Sequence, residues 1–233
     1  PDAGSEAGAL ALLKIRRRAP GSCVFVLYMF LFIVGGASEE RRMFMVEPGG
    51  YPRHQPINNY FFAIVPTAEA GRAIDRIADG FRRLHDLRGS IVGPGRYHIS
   101  LCGVGGPGSA PDEVLSKLQA IGDQVRCQPF DVGFDHAVSF SQGARKRPLV
   151  LANSEGLPAL GWLQAGLRRA MAACELQAKS QFNPHLTMLY DEQIVLETGI
   201  RPLRWTVLDF VLIQSVHGEN RHRHLARWPL GGG

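Results

Sequence analysis

The chain has 233 residues, of which 45% are hydrophobic and 20% charged, and no stretch is of low complexity. That balance excludes a disordered or repetitive chain and describes one soluble globular unit with ample length for a core. The formal net charge of +5 suits a polyanionic partner without identifying one.

Residues 1–42 stand apart. Lys14-Ile15-Arg16-Arg17-Arg18, the almost wholly apolar run from Cys23 to Val34, and Gly35-Gly36-Ala37 follow the basic, apolar, small-residue order of a secretory signal. The run is short for a membrane span, which needs about 17 to 25 residues. Met43 and Met45 lie shortly upstream of the first strand pattern, and the chain opens on Pro1. The reading adopted is a non-core extension over 1–42, from a fragment or an upstream over-extension, and a working domain over 43–233 in the cytoplasm. The alternative is a genuine signal over 14–37 and export. Without the first 42 residues the charge excess falls to +3.

The elements then follow in order. Tyr60 to Val65 is an apolar strand closed by Pro66, and Ile74, Ile77, Phe81 and Leu84 mark a helix by their spacing of three and four. Gly93-Pro94-Gly95 is a turn. Tyr97 to Cys102 is an amphipathic strand, and Asp112 to Val125 a helix with Val114, Leu118, Ile121 and Val125 on one stripe. Phe130 to Phe140 alternates as a strand, Leu149 to Ala152 is another, and Leu160, Leu163, Leu167, Met171 and Cys174 mark a third helix. After Asn183-Pro184 come the strand His185 to Leu189, one long strand from Arg204 to His217, and a last strand from Leu225 to Leu230. The order predicts an α+β fold with antiparallel pairing.

Two strings in this series carry chemistry, His98-Ile99-Ser100 and His185-Leu186-Thr187. On a strand, residues i and i+2 share a face, so each string pairs an imidazole with a hydroxyl, while Ile99 and Leu101, and Leu186 and Met188, supply the buried side. By the same rule Cys102 joins His98 and Ser100, which makes a nucleophilic thiol a candidate, though a role in packing or as a cleft wall fits better. The context repeats as strand, helix, histidine strand, with Phe61 37 positions before His98 and Leu149 36 before His185. Two lobes related by a pseudo-twofold would bring the histidines face to face. Two imidazoles titrating near ~6.5 form an acid and a base, and two hydroxyls can hold non-bridging phosphate oxygens. This set suits phosphodiester chemistry on a substrate with a strained ring, such as a ribose 2',3'-cyclic phosphate.

At these residues the chain resembles the 2H phosphoesterases, in particular the 2'-5' RNA ligase or RNA 2',3'-cyclic phosphodiesterase branch, over roughly residues 59 to 230. The resemblance implies a two-lobed, pseudo-symmetric duplicated α+β fold, with antiparallel sheets, helices on the outside, a central cleft and the motifs on central strands. It implies His98 as the acid that protonates the leaving 3' oxygen, His185 as the base that activates water, and Ser100 and Thr187 as phosphate ligands. The chain departs from the pattern at Ser100, where Thr is commoner, in the run Leu101-Cys102-Gly103-Val104-Gly105, and at Tyr190, where Arg often stands. Tyr190 is a candidate platform for a nucleobase or a sheet tyrosine.

Arg145-Lys146-Arg147 is either a grip on an RNA backbone or a solvated loop, and His222-Arg223-His224 is read as surface around the last strand, not as a metal pair. Cys102, Cys127 and Cys174 have no disulfide-framework spacing, as in a reducing compartment. The expected activity is metal-independent opening of RNA 2',3'-cyclic phosphates to 2'-phosphates, with 2'-5' joining as its reverse. It calls for no cofactor and no metal; its partner is RNA or a nucleotide with a 2',3'-cyclic phosphate, and a monomer without stable membrane association is expected. The alternatives are a phosphodiesterase on a small cyclic nucleotide and a catalytically weak RNA-binding module of the same fold.

Overall fold

A computed structural model describes residues 58–105, 112–140, 145–176, 182–216 and 222–231. All of them lie in one compact unit, Gly50–Gly233. The extension over 1–42 and the start near Met43 lie outside the described residues.

Strand β1 (Asn58–Ile64) leads into helix α1 (Ala68–Leu84), whose N-cap Thr67 accepts the Ala70 amide at 3.1 Å. Ile74 and Phe81 are buried as the spacing predicts and Ile77 is half-buried, but Leu84 is 75% exposed, and Ala78 joins the buried face. The helix ends there, at the His85 cap, and Leu87 turns inward instead. Strand β2 (Ile99–Gly105) and helix α2 (Asp112–Gln124) follow, then β3 (Phe130–Ser139), β4 (Arg147–Ala152) and helix α3 (Pro158–Ala173), which opens on a proline suited to that position. The chain closes with β5 (Leu186–Asp191), β6 (Thr198–Val207), β7 (Asp209–Val216) and β8 (His222–Pro229).

The long strand expected over 204–217 is two strands. Leu208 alone separates β6, the edge of one sheet, from β7, an inner strand of the other. The apolar pattern runs on because both strands face the same core.

The strands form two four-stranded antiparallel sheets, in the orders β2-β1-β7-β8 and β5-β4-β3-β6. Side by side, the orders match β2 with β5, β1 with β4, β7 with β3 and β8 with β6, which is the duplication expected from the sequence. The motif strands β2 and β5 are edges of their sheets, not the central strands that the resemblance implied.

The lobes share one core. Helix α1 packs against β5 and β6 of the other sheet, and α3 reaches across to β2. A single cluster contains Phe62, Ile74 and Ile99 from one half and Phe134, Leu151, Leu167 and Met188 from the other. Each such side chain stabilises the fold by roughly 1.5–3 kcal/mol on burial, so the halves stand or fall together. Helix α2 lies against Trp228, where a Cβ on Gly122 would fall 2.2 Å from the indole, while Trp228 Nε1 donates to Asp123 at 2.7 Å. No described helix is long and apolar enough to cross a membrane.

Candidate active site

His98 and His185 each stand one residue before a strand, not within it. Their rings are anchored alike. His98 Nδ1 lies 2.8 Å from the Arg96 carbonyl oxygen and His185 Nδ1 2.7 Å from that of Asn183, in both cases the residue two before. A carbonyl can only accept, so Nδ1 carries the hydrogen and Nε2 is the nitrogen left for chemistry in both rings.

The next repeat lies in the register. Ser100 pairs with Ala63 and Cys102 with Phe62, which leaves Leu101 as an extra residue; Thr187 pairs with Val150 and Leu189 with Leu149, which leaves Met188 extra. Both motif strands therefore carry a β-bulge directly after the hydroxyl, and both hydroxyl residues pair with a residue 37 positions upstream. The matched frames expected from the sequence are identical in length once pairing defines them.

The bulge corrects the reading of Cys102. One extra residue reverses the alternation, so Leu101 and Cys102 are both 5% exposed while Ser100 is exposed. Cys102 turns into the core, where its Sγ lies 3.8 Å from the Gln164 carbonyl of α3 and burial pushes the thiol up to about 11. A core thiol held protonated is not a nucleophile. In the second copy the same reversal buries Met188 and Leu189 and puts Tyr190, 47% exposed, on the side of Thr187. Gly103 holds the equivalent place in the first copy.

The histidine halves are joined along β5. The amide of Val92 donates to the Met188 carbonyl at 2.8 Å, and Ile91 bridges to Leu189. The Asp191 carboxylate accepts the amides of Arg88 and Gly89, both at 2.7 Å, and that of Gln193 at 2.9 Å. Burial pushes the Asp191 pKa up, but the backbone amides of Gln193, Gly89, Arg88 and Glu192 outweigh it and hold it below the usual range. The approach is so close that a Cβ on Gly89 would fall 2.1 Å from the Tyr190 carbonyl oxygen. Six residues after this seam comes His98, so its position is tied to the strand that follows His185.

The two rings differ in surroundings. His185 meets the edge of Phe140, with centroids 5.0 Å apart. His98 contacts Phe61 at 5.0 Å and His222 at 4.9 Å. Burial lowers the His98 pKa; its bond to the Arg96 carbonyl works the other way, and the nearby charges of His185, Arg96 and His224 lower it further.

The last strand overturns the surface reading of His222. It pairs with Ser215, and His224 with Ile213, on the sheet face that carries Ala63, Phe61 and Ser100. His222 is half-buried against Phe61 and His98. The alternation of His222 and His224 is visible in the sequence, but which side of the strand faces His98 depends on the pairing partner. Arg145 ion-pairs with Glu192 at 2.8 Å, Arg147 donates to the Glu192 carbonyl at 2.8 Å, and Lys146 is exposed. Strand alternation sets Arg147 on the face of Leu149, opposite to that of Tyr190. Among the described residues no three His, Cys, Asp or Glu side chains converge as a metal-ligand set. A small cavity lined by Asp131, Asn153, Leu157 and Arg204 lies at the start of α3 and holds neither motif histidine.

Residues 65–219, two thirds of the chain, match the 2'-5' RNA ligase superfamily. The chain belongs to that family. The solved structures agree. A structure described as a phosphoesterase is 26% identical, with a TM-score of 0.59, over 74% of this chain and 98% of its own. Escherichia coli LigT complexed with 3'-AMP is 27% identical, with a TM-score of 0.56, over 75% of this chain and 98% of its own. TT0787 of Thermus thermophilus, 20% identical with a TM-score of 0.58 over 75% of this chain and 98% of its own, shares the fold. No curated protein matches the chain. The superfamily is one of phosphoesterase and ligase enzymes with the duplicated 2H arrangement, and its members act on phosphate-bearing substrates of the RNA and nucleotide class.

Proposed function

We propose that the protein opens RNA 2',3'-cyclic phosphates to 2'-phosphates by two-histidine acid–base catalysis. The observation that carries this reading is the duplication of the local geometry: two imidazoles with Nδ1 on the carbonyl two residues back, each followed two positions later by a hydroxyl and then a bulge. A pair of equivalent groups flanking one cleft suits a reaction in which one proton is removed and another delivered.

His185 Nε2 takes a proton from water as the water oxygen attacks phosphorus. The bond from phosphorus to the 3' oxygen breaks, its electron pair stays on that oxygen, and His98 Nε2 delivers a proton there. Ser100 and Thr187 donate to the non-bridging oxygens as charge builds in the pentacoordinate state. With the 5'-hydroxyl of a second RNA in place of water, the same step joins 2',5' ends. Burial disfavours the protonated form of His98, so the acid role requires proton uptake with the substrate, which the negative phosphate favours. Tyr190 supplies a base platform on the cleft face, and Arg145 and Lys146 are candidates for backbone contacts, while Arg147 lies on the opposite face of its strand.

The reading draws on side chains alone, with no metal or cofactor. The working unit is residues 43–233, with 1–42 a non-core extension, acting as a cytoplasmic monomer without stable membrane association. The binding of 3'-AMP by LigT, at 27% identity, supports a phosphate-bearing ligand in this cleft.

The test is incubation of the full chain, in EDTA, with a short oligoribonucleotide ending in a 2',3'-cyclic phosphate. A 2'-phosphate product supports the reading. Turnover of mononucleoside cyclic phosphates alone, insensitive to length and salt, replaces it with the small-nucleotide reading. Salt-dependent RNA binding without turnover replaces it with the binding-module reading.

A further inference from the structure

We propose that His222 is part of the same reaction centre, as a positioning residue that, with Phe61, clamps the His98 ring so that its Nε2 faces the cleft. This rests on the two-histidine reading. Phe61, His98 and His222 form a closed triangle of rings: Phe61 to His98 is 5.0 Å at 41°, His98 to His222 is 4.9 Å at 70°, and Phe61 to His222 is 5.7 Å at 82°. The bond from Nδ1 to the Arg96 carbonyl pins one corner of the His98 imidazole and leaves the ring free to swing about that corner. Phe61 and His222 remove this freedom. Edge contacts between such rings add to area burial, enough to bias one ring orientation by about tenfold.

The clamp exists in one lobe only. The ring contact of His185 is Phe140, with no second imidazole among the described residues. His222 comes from β8, which the chain reaches 37 residues after His185, so its arrival beside His98 depends on the pairing of Ser215 with His222 and of Asn59 with Ser215 across the whole first sheet.

Burial, helped by the charges around it, keeps His222 neutral while it does this. The charges that act on it are those of His98, Arg96 from the loop before β2, and His224 from its own strand; His224 in turn feels Arg227 and Asp209, and His98 feels His185. Burial lowers His222 to about 4, with the charges of His98, Arg96 and His224 adding to it. At neutral pH it therefore adds no charge to compete with the proton that His98 or His185 must carry. It also covers the His98 ring and so contributes to the burial that lowers the His98 pKa.

The test follows the imidazole signals of the full chain by NMR through a pH titration, with kcat and KM on the cyclic-phosphate oligonucleotide, for wild type, His222→Ala and His222→Phe. In His222→Ala the His98 midpoint rises toward the ordinary 6.5, the limb of the pH profile that reports His98 moves with it, and kcat falls about tenfold or more with KM within about twofold. His222→Phe restores the ring contact and recovers at least half of the lost rate. If the alanine variant fails to fold, His222→Gln carries the same expectations. An unchanged His98 midpoint and kcat in His222→Ala overturn the proposal, and so does a rise in KM at constant kcat in both variants, which marks a ligand contact. The titration reads the clamp without turnover, so a wild type that ignores the cyclic phosphate refutes the phosphodiesterase reading and leaves the clamp to be decided by the His98 midpoint.

Discussion

Replacing Asp191 by Asn tests the seam that joins the two halves of the site. One carboxylate oxygen accepts the amides of Arg88 and Gly89 and the other that of Gln193. An asparagine can keep the first pair only by turning its NH2 toward the Gln193 amide, which sets donor against donor. Bonds to a charged group are worth about 1.5–3 kcal/mol and neutral ones about 0.5–1.5, and a buried donor left unpaired costs about 1–3. Loss of charge assistance in two bonds together with one unpaired amide amounts to about 3 kcal/mol. For a chain of this size each kcal/mol lowers Tm by about 2–4 °C, so Asp191→Asn should melt about 6–12 °C below wild type. Differential scanning calorimetry measures this directly. The same variant should lose kcat, because the loop from Arg88 to Val92 leads into His98. A Tm within about 2 °C of wild type, a shift that about 1 kcal/mol or less accounts for, would refute the reasoning that these amides hold the loop.

Four further outcomes are expected. Ser100→Ala and Thr187→Ala should each lower kcat on the order of 10²-fold with a smaller effect on KM, as for a lost oxyanion donor; steady-state kinetics decides, and a pure KM effect would contradict their role. Cys102→Ala should retain wild-type turnover, and in the native protein Cys102 should resist iodoacetamide because its thiol lies in the core at about 11; rapid labelling would place it in the cleft after all. His98, His222 and His224 all have proton affinities lowered in the fold, so the unfolded chain binds more protons, and stability is full above ~6.5 and declines as pH falls from there toward ~4. Urea midpoints at about pH 7.5 and about pH 5 check this, and an equal or higher midpoint at the lower pH would show that the sign is wrong. Tyr190→Ala should raise KM for the oligonucleotide by about tenfold, the loss of one base stack, with kcat kept, and an unchanged KM would remove it from the binding surface.

Much of this site is legible in the sequence because it is local. The alternation through Ile99 and Leu186, the matching helices and the nearly equal frames of the two copies depend only on neighbours in the chain. What escapes is what depends on pairing. The rule of two holds from His98 to Ser100 and fails at Cys102, because a bulge that inserts Leu101 against β1 leaves no mark in the local pattern. The equivalent bulge at Met188, against β4, brings Tyr190 to the side of Thr187. The division of β6 from β7 at Leu208 is hidden because the apolar pattern continues across it. His222 and His224 read equally well as surface residues until Ser215 and Ile213 show which side of β8 faces His98. Asp191 looks like an ordinary loop acid, since two of its partners, Arg88 and Gly89, lie 103 and 102 positions upstream.

The central claim is that His98 and His185 are one acid–base pair, and the pH dependence of kcat/KM on the 2',3'-cyclic phosphate, for wild type, His98→Ala and His185→Ala, tests it most directly. The account predicts a bell for wild type, reporting one acid and one base, and loss of turnover in both folded variants. A folded His185→Ala that turns over at the wild-type rate, or a wild-type profile with a single limb, would contradict it.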